Sequence, residues 1–227
     1  MSLRIFPVHM GFDTCYLIQA EGIILVDAGA PGKVGALLRR MKRVGIEQRG
    51  LRLVVITHGH WDHIGSAREI KDQTGAEIAL HEYDAHLLEE SLTPLSPGVT
   101  QWGRIMTALI KGFMPLVNVP SAGVDHRLGD DGMSLRPYGI PGMVIHTPGH
   151  TRGSVSVLLD TGEAFVGDLA MNRFPLRLAP GLPIFAEDGS QVQRSWRLLL
   201  NLGARTVYPA HGKPFPAEVM WEKVKIS

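Results

Sequence analysis

Cysteine is nearly missing from this 227-residue chain: it occurs once, at Cys15. A single thiol excludes an intramolecular disulfide and a cysteine-rich zinc site. It suits a reducing cytoplasm, which is the expected location. Net charge is almost absent too, with 23 lysines and arginines against 22 acidic residues and a balance of +1. That balance gives no electrostatic footprint for nucleic acid or an anionic membrane, so neither is expected as a partner. Long apolar runs are lacking. The longest apolar stretch, 105–119, is broken by Lys111, Gly112, Pro115 and Asn118, well short of the ~18 residues of a membrane span. The opening MSLRIFPVH lacks a long apolar core and a small-residue cleavage site, so no secretory signal is expected. What remains, 44% hydrophobic and 20% charged, is an ordinary globular composition. The length suits one large domain, expected to run from residue 1 to 227.

Short β-like runs recur along the chain: CYLIQA (15–20), IILVDAG (23–29), LVVITH (53–58) and EIALH (77–81). The later ones are MVIHTPGH (143–150), SVSVLLD (154–160), EAFVGD (163–168) and TVYPAH (206–211). Several are continuous apolar runs that end in a polar residue beside Gly, the pattern of buried strands whose ends open onto a site. Helical spacing lies between them, at Val34, Leu37, Leu38 and Met41, and again at Val192, Trp196 and Leu199. The order strand–Asp27–helix–strand–His58 returns as strand–Asp168–helix–strand–His211. Two such halves suggest two packed sheets with helices outside. The region between them, about 84–140, reads as a helical insertion. Its apolar stripe of Trp102, Ile105, Met106, Leu109, Ile110 and Phe113 suits a lid, packing on the sandwich, or a homodimer surface.

His58, His60, Asp62 and His63 put four ligand-type side chains into six positions at a strand end. Such ligands converge only where the backbone turns sharply, which Gly59 and Gly65 permit. His150 in TPGHT, Asp168 in VGD and His211 in YPAHG end later strands in similar turns. Five histidines and two aspartates exceed one tetrahedral zinc and suit two metals sharing a carboxylate. The other histidines, His9, His81, His86, His126 and His146, match no ligand pattern, and Cys15 reads as a buried small side chain.

VDAG, HGHWDH, TPGHT, GD and PAHG, in that order across residues 23–212, resemble the metallo-β-lactamase superfamily. The resemblance implies an αββα sandwich with the site between the sheets. It implies that His58, His60 and His150 bind one metal, that Asp62, His63 and His211 bind a second, and that Asp168 bridges them. Asp27 would orient the His58 loop by hydrogen bonds, a simple turn aspartate being the other reading. The implied chemistry is hydrolysis by a metal-bridging hydroxide, with Asp62 accepting a hydrogen bond or moving a proton. Zinc is the first expectation, and manganese or iron fit the same donors.

Departures from particular branches narrow the substrate. Zinc β-lactamases mostly lack a bridging carboxylate, so Asp168 speaks against a true β-lactamase. Sixteen residues follow His211, too few for the helical part with which glyoxalase II-type thioesterases hold glutathione. Acyl-homoserine lactonases often carry Tyr shortly after the bridging Asp, where this chain has Met171. Phe174, Leu176, Leu178, Leu182, Ile184 and Phe185 surround the site with apolar side chains, beside Arg173 and Arg177. An ester, lactone or thioester of a small, partly apolar molecule is therefore expected. The alternatives are a mononuclear-iron persulfide dioxygenase-like oxidoreductase or a phosphodiesterase.

Overall fold

Two six-stranded sheets form from these runs in a computed structural model, which describes residues 3–224. The expected domain ends at residues 1 and 227 lie outside the described residues. The first sheet runs in chain order: β1 (Arg4–His9), β2 (Thr14–Gln19), β3 (Ile23–Val26), β4 (Leu53–Val55), β5 (Glu77–His81) and β6 (His126–Leu128). The second holds β7 (Met133–Ser134), β8 (Gly142–His146), β9 (Val155–Leu159), β10 (Glu163–Met171), β11 (Thr206–His211) and β12 (Phe215–Pro216), also in sequential spatial order.

Alternation along the strands makes the layers. Tyr16, Ile18, Ile24, Val26, Leu53 and Val55 point inward and meet Val144, Val155, Val157, Leu159 and Phe165 of the second sheet. Their neighbours Leu17, Leu25 and Val54 point outward, under α1 (Val34–Arg43), the four-residue α2 (Trp61–Ile64), α3 (Ala67–Thr74) and α4 (Glu82–Glu89). Beyond the central helix α5 (Gln101–Phe113), the second sheet is covered by α6 (Gly189–Asn201) and α7 (Glu218–Val224) through Val192, Trp196, Leu199 and Met220. Three apolar layers separate four structural ones, the expected αββα order. Period-2 burial on both faces explains why the runs are nearly continuous in apolar residues.

The internal repeat is a matter of connectivity. β3–α1–β4 and β10–α6–β11 are both strand–helix–strand units whose two strands pair in parallel. The helical insertion is narrower than expected at 84–140. Its second part supplies β6, parallel to β5, and β7, antiparallel to β8, so it finishes an edge of each sheet. Two or three residues cannot display a period-2 pattern, and their pairing partners lie far away in sequence. Among the described residues no helix is long and apolar enough to cross a membrane.

Candidate metal centre

The ligand cluster begins where β3 and β4 run out. Asp27, one residue past β3, takes φ 64°, a left-handed conformation that a short polar side chain tolerates. From there its Oδ1 accepts from the Thr57 backbone N–H and hydroxyl, both at 2.8 Å. Its Oδ2 lies 3.0 Å from His63 Nδ1. The expected orienting role thus falls on Thr57 and on His63 directly. Next, α2 turns Asp62 and His63 into the site, its first turn closed by His63 N–H on the His60 carbonyl at 2.9 Å.

Gly59 and Gly65 serve by their lack of a side chain; neither has positive φ. A Cβ at Gly59 would lie 2.4 Å from Leu87 Cδ1, and one at Gly65 would lie 2.4 Å from the Pro31 nitrogen. The buried Asp84, at the start of α4, accepts at 2.8 Å from Gly59 N–H and from the Thr151 hydroxyl, joining the His58 loop to the His150 loop.

Each imidazole is held from behind. His58 Nδ1 donates to Thr57 Oγ1 (3.2 Å), whose own proton goes to Asp27. His60 Nε2 donates to Ser96 Oγ (3.3 Å), whose proton goes to the His150 carbonyl. His63 Nδ1 faces Asp27. His150 Nδ1 donates to the Phe185 carbonyl (2.9 Å) and His211 Nδ1 to the Phe12 carbonyl (3.1 Å). This network sets the tautomers of the neutral rings, in which His60 presents the Nδ1 lone pair inward and the others Nε2.

The inward atoms gather into two groups. His58 Nε2 and His150 Nε2 each lie 3.0 Å from His60 Nδ1, near the ~3.3 Å edge of a tetrahedron with ~2.05 Å bonds. Lone pairs that close, with no proton between them, fit a cation. Asp62, His63 and His211 form the other group. Asp168 lies between: its Oδ1 is 3.4 Å from His63 Nε2 and 3.3 Å from His211 Nε2, while Oδ2 is 3.7 Å from His150 Nε2. The β10–β11 register shifts between Phe165 and Gly167 and again between Gly167 and Met171, the stretch that carries Asp168. His63 Nε2 and Asp168 Oδ1 are buried with no hydrogen-bond partner, the orphaned atoms that bound ions would satisfy.

Electrostatics agree with this geometry. Burial pushes His58 down, aided by its histidine neighbours, and takes His60 down to about 3. Burial lowers His150 as well. These three are neutral donors. Burial also opposes charge on His63 and His211, but Asp27 and Asp168 beside the former, and Asp168 and Asp62 beside the latter, hold both well above the usual range. The carboxylates call for positive charge at that spot, which bound divalent metal would meet.

All seven sequence-predicted site residues, His58, His60, Asp62, His63, His150, Asp168 and His211, therefore meet at one rim. A further His–Asp group, His81, Asp130 and His146, is no comparable cradle. The His81 and His146 rings stack at 22° with centroids 4.2 Å apart, so no ion at bonding distance lies in both ring planes. His81 instead caps α4, accepting from Tyr83 N–H.

Ser96, Asp84 and the carbonyls of Phe12 and Phe185 went unread in the sequence. They approach through loops, and a carbonyl has no side-chain signature. Above the site lies a cavity of about 360 Å³ walled by Trp61, Met106, Ile110, Phe113, Leu176 and Phe185. Met106, Leu109, Ile110 and Phe113 of the α5 stripe line this cavity, while Trp102 and Ile105 of the same stripe are largely exposed.

Known proteins share this architecture. The probable metallo-hydrolase YflN of Bacillus subtilis is 27% identical, covering 86% of this chain and 77% of its own. The hydroxyacylglutathione hydrolase GloC of Haemophilus influenzae is 28% identical, over 74% of this chain and 72% of its own. The BLEG-1 B3 metallo-beta-lactamase superposes with a TM-score of 0.70 at 20% identity, over 96% of this chain and 97% of that one, a likeness of fold. TTHA1623, solved in a di-iron-bound form, gives 0.67 at 25% identity over 96% and 98%. With residues 11–211 matching the family model described as the metallo-beta-lactamase superfamily, the chain belongs to that superfamily.

Proposed function

We propose that this metal-dependent hydrolase holds two divalent ions and cleaves an ester, lactone or thioester of a small, partly apolar substrate. The observation that supports it best is Asp168, whose Oδ1 faces His63 and His211 while Oδ2 faces His150. His58, His60 and His150 would hold one ion, Asp62, His63 and His211 the other, with Asp168 between them. Zinc is the first choice, with manganese or iron accepted by the same nitrogen and oxygen donors. Two such ions would lower the pKa of a shared water and polarise the carbonyl under attack.

The chain's own groups do the rest. Asp62 faces the cavity; burial opposes its charge, but His211 and His63 together hold its pKa below the usual carboxylate range. In this reading Asp62 would accept a hydrogen bond from the attacking water or carry a proton afterwards to the leaving group. The apolar walls exclude bulk water and strengthen each of these interactions. Cys15 takes no part: it is fully buried and burial pushes its thiol up. The GloC relative, by name a hydrolase of hydroxyacylglutathione, supports the thioester arm, and the di-iron form of TTHA1623 supports a two-ion capacity.

The test is metal analysis together with a panel of lactones, thioesters, phosphodiesters and β-lactams, run beside Asp168→Ala and His58→Ala. Two ions per chain and a hydrolytic activity lost in both variants is the expected result. Equal background from all three proteins on every substrate would remove the assignment. One iron per chain with oxygen uptake would replace it by the persulfide dioxygenase-like reading.

A further inference from the structure

We infer that the scissile carbonyl carries a straight, uncharged acyl chain, seated between α5 and the segment 173–176. This rests on the hydrolase reading and names its substrate class. The first support is how little charge the groove walls offer. Beyond the seven site residues, the polar side chains lining the cavity are Ser96, Thr107 and Arg173, with the Trp61 indole as a neutral donor. Ser96 Oγ donates to the His150 carbonyl at 2.9 Å, and Thr107 Oγ1 donates to the Gly103 carbonyl at 3.0 Å. The Arg173 guanidinium donates to the Phe12 carbonyl. That carbonyl also holds His211, so the one cationic side chain of the lining outside the site residues sits at the metal end, and between α5 and Pro175–Leu176 a charged tripeptide thiol such as glutathione would find no ion-pair partner.

The second support is shape. Met106, Ile110 and Phe113 on α5 face Pro175 and Leu176 across the cavity. The Trp102 indole N–H holds the two walls together by donating to the Pro175 carbonyl at 2.8 Å. The volume of about 360 Å³ accommodates on the order of a dozen non-hydrogen atoms, at roughly 30 Å³ each. At the mouth the apolar surface continues outward through Leu109 and Phe174, 64% and 75% exposed. A chain of six to ten carbons, counted roughly from that volume, would fill the groove with its carbonyl at the metal ligands.

The experiment compares thioesters of one small neutral thiol from acetyl to dodecanoyl, with a hydroxyacylglutathione alongside, on metal-replete enzyme. The expected kcat/KM rises roughly threefold per methylene while the chain is being buried, then levels near ten carbons. In Ile110→Asp the decanoyl-to-acetyl ratio collapses; because a ratio is read, a general loss of activity cancels. Acetyl cleavage without a chain-length gain, or preference for the glutathione thioester, overturns the acyl-chain inference and leaves hydrolysis standing. If no thioester is cleaved, the hydrolase reading loses this arm and binding decides the pocket. Octanamide should then quench tryptophan fluorescence at concentrations at least tenfold below butanamide, and equal binding overturns the inference.

Discussion

Asp27 is the residue on which the metal-side geometry turns, since one carboxylate holds Thr57 by two hydrogen bonds and faces His63. Asn at this position keeps one acceptor and brings an N–H₂ that cannot accept from Thr57 or His63. Asp27→Asn should therefore weaken metal binding about 10–100-fold, read by competition with a chelator. An unchanged affinity would mean that Asp27 merely shapes the turn. Asp13 raises a different issue. It is fully buried beside Cys15, and burial raises its pKa from 3.8 to about 7. The folded state thus binds the Asp13 proton more tightly than the unfolded chain does. Its contribution to stability is complete below about 4 and is lost as pH rises through about 7, at roughly 1.4 kcal/mol per pH unit between those values. Asp13→Asn removes that dependence. Denaturant unfolding of chelator-treated protein should show the variant gaining on wild type from pH 5 to 8, with no difference near pH 4. Parallel pH profiles would refute the buried-acid account.

Among the elements, the loop 57–60 is built around a missing side chain. A Cβ on Gly59 would meet Leu87 Cδ1 of α4 at 2.4 Å, so Gly59→Ala should cost about 1–3 kcal/mol, seen as a lower urea midpoint. Leu87→Ala in the same chain should return part of that loss; if it returns none, the clash is elsewhere. The sequence had shown glycines here, and a turn was the natural reading. The close packing of α4 was hidden, because Leu87 arrives from another element. Longer elements were easier to foresee. Apolar runs became β2, β5, β9 and β11 within a residue or two of their expected bounds, and Trp102–Phe113 became α5. Burial on both faces gives a strand an unmistakable composition, and thirteen helical residues give a full stripe. β6, β7 and β12 have two or three residues each and depend wholly on distant partners.

At the scale of the molecule, the site joins the two repeated units. His58, His60, Asp62 and His63 follow β4 of the first sheet, while His150, Asp168 and His211 come from the second. Ions bound there would tie the sheets together at their rim, so each stabilises the folded state by mass action. About 2.7 kcal/mol follows from a free concentration 100 times Kd. Thermal unfolding with and without EDTA should show a drop of about 5–10 °C, reversed by zinc. An identical melting curve would deny any such link. The ligand types were legible at this scale because His and Asp beside strand ends are conspicuous; the supports behind them were not. Two of those supports have a consequence of their own. Phe12 and Phe185 turn their rings into the cavity while their backbone carbonyls hold His211 and His150. One residue thus serves two masters through chemically separate parts. Phe12→Leu and Phe185→Leu should alter substrate preference and leave metal content as it was, measured on the same protein sample. A descendant of this enzyme can drift in what it cleaves, position by position, without ever loosening the centre that does the cleaving.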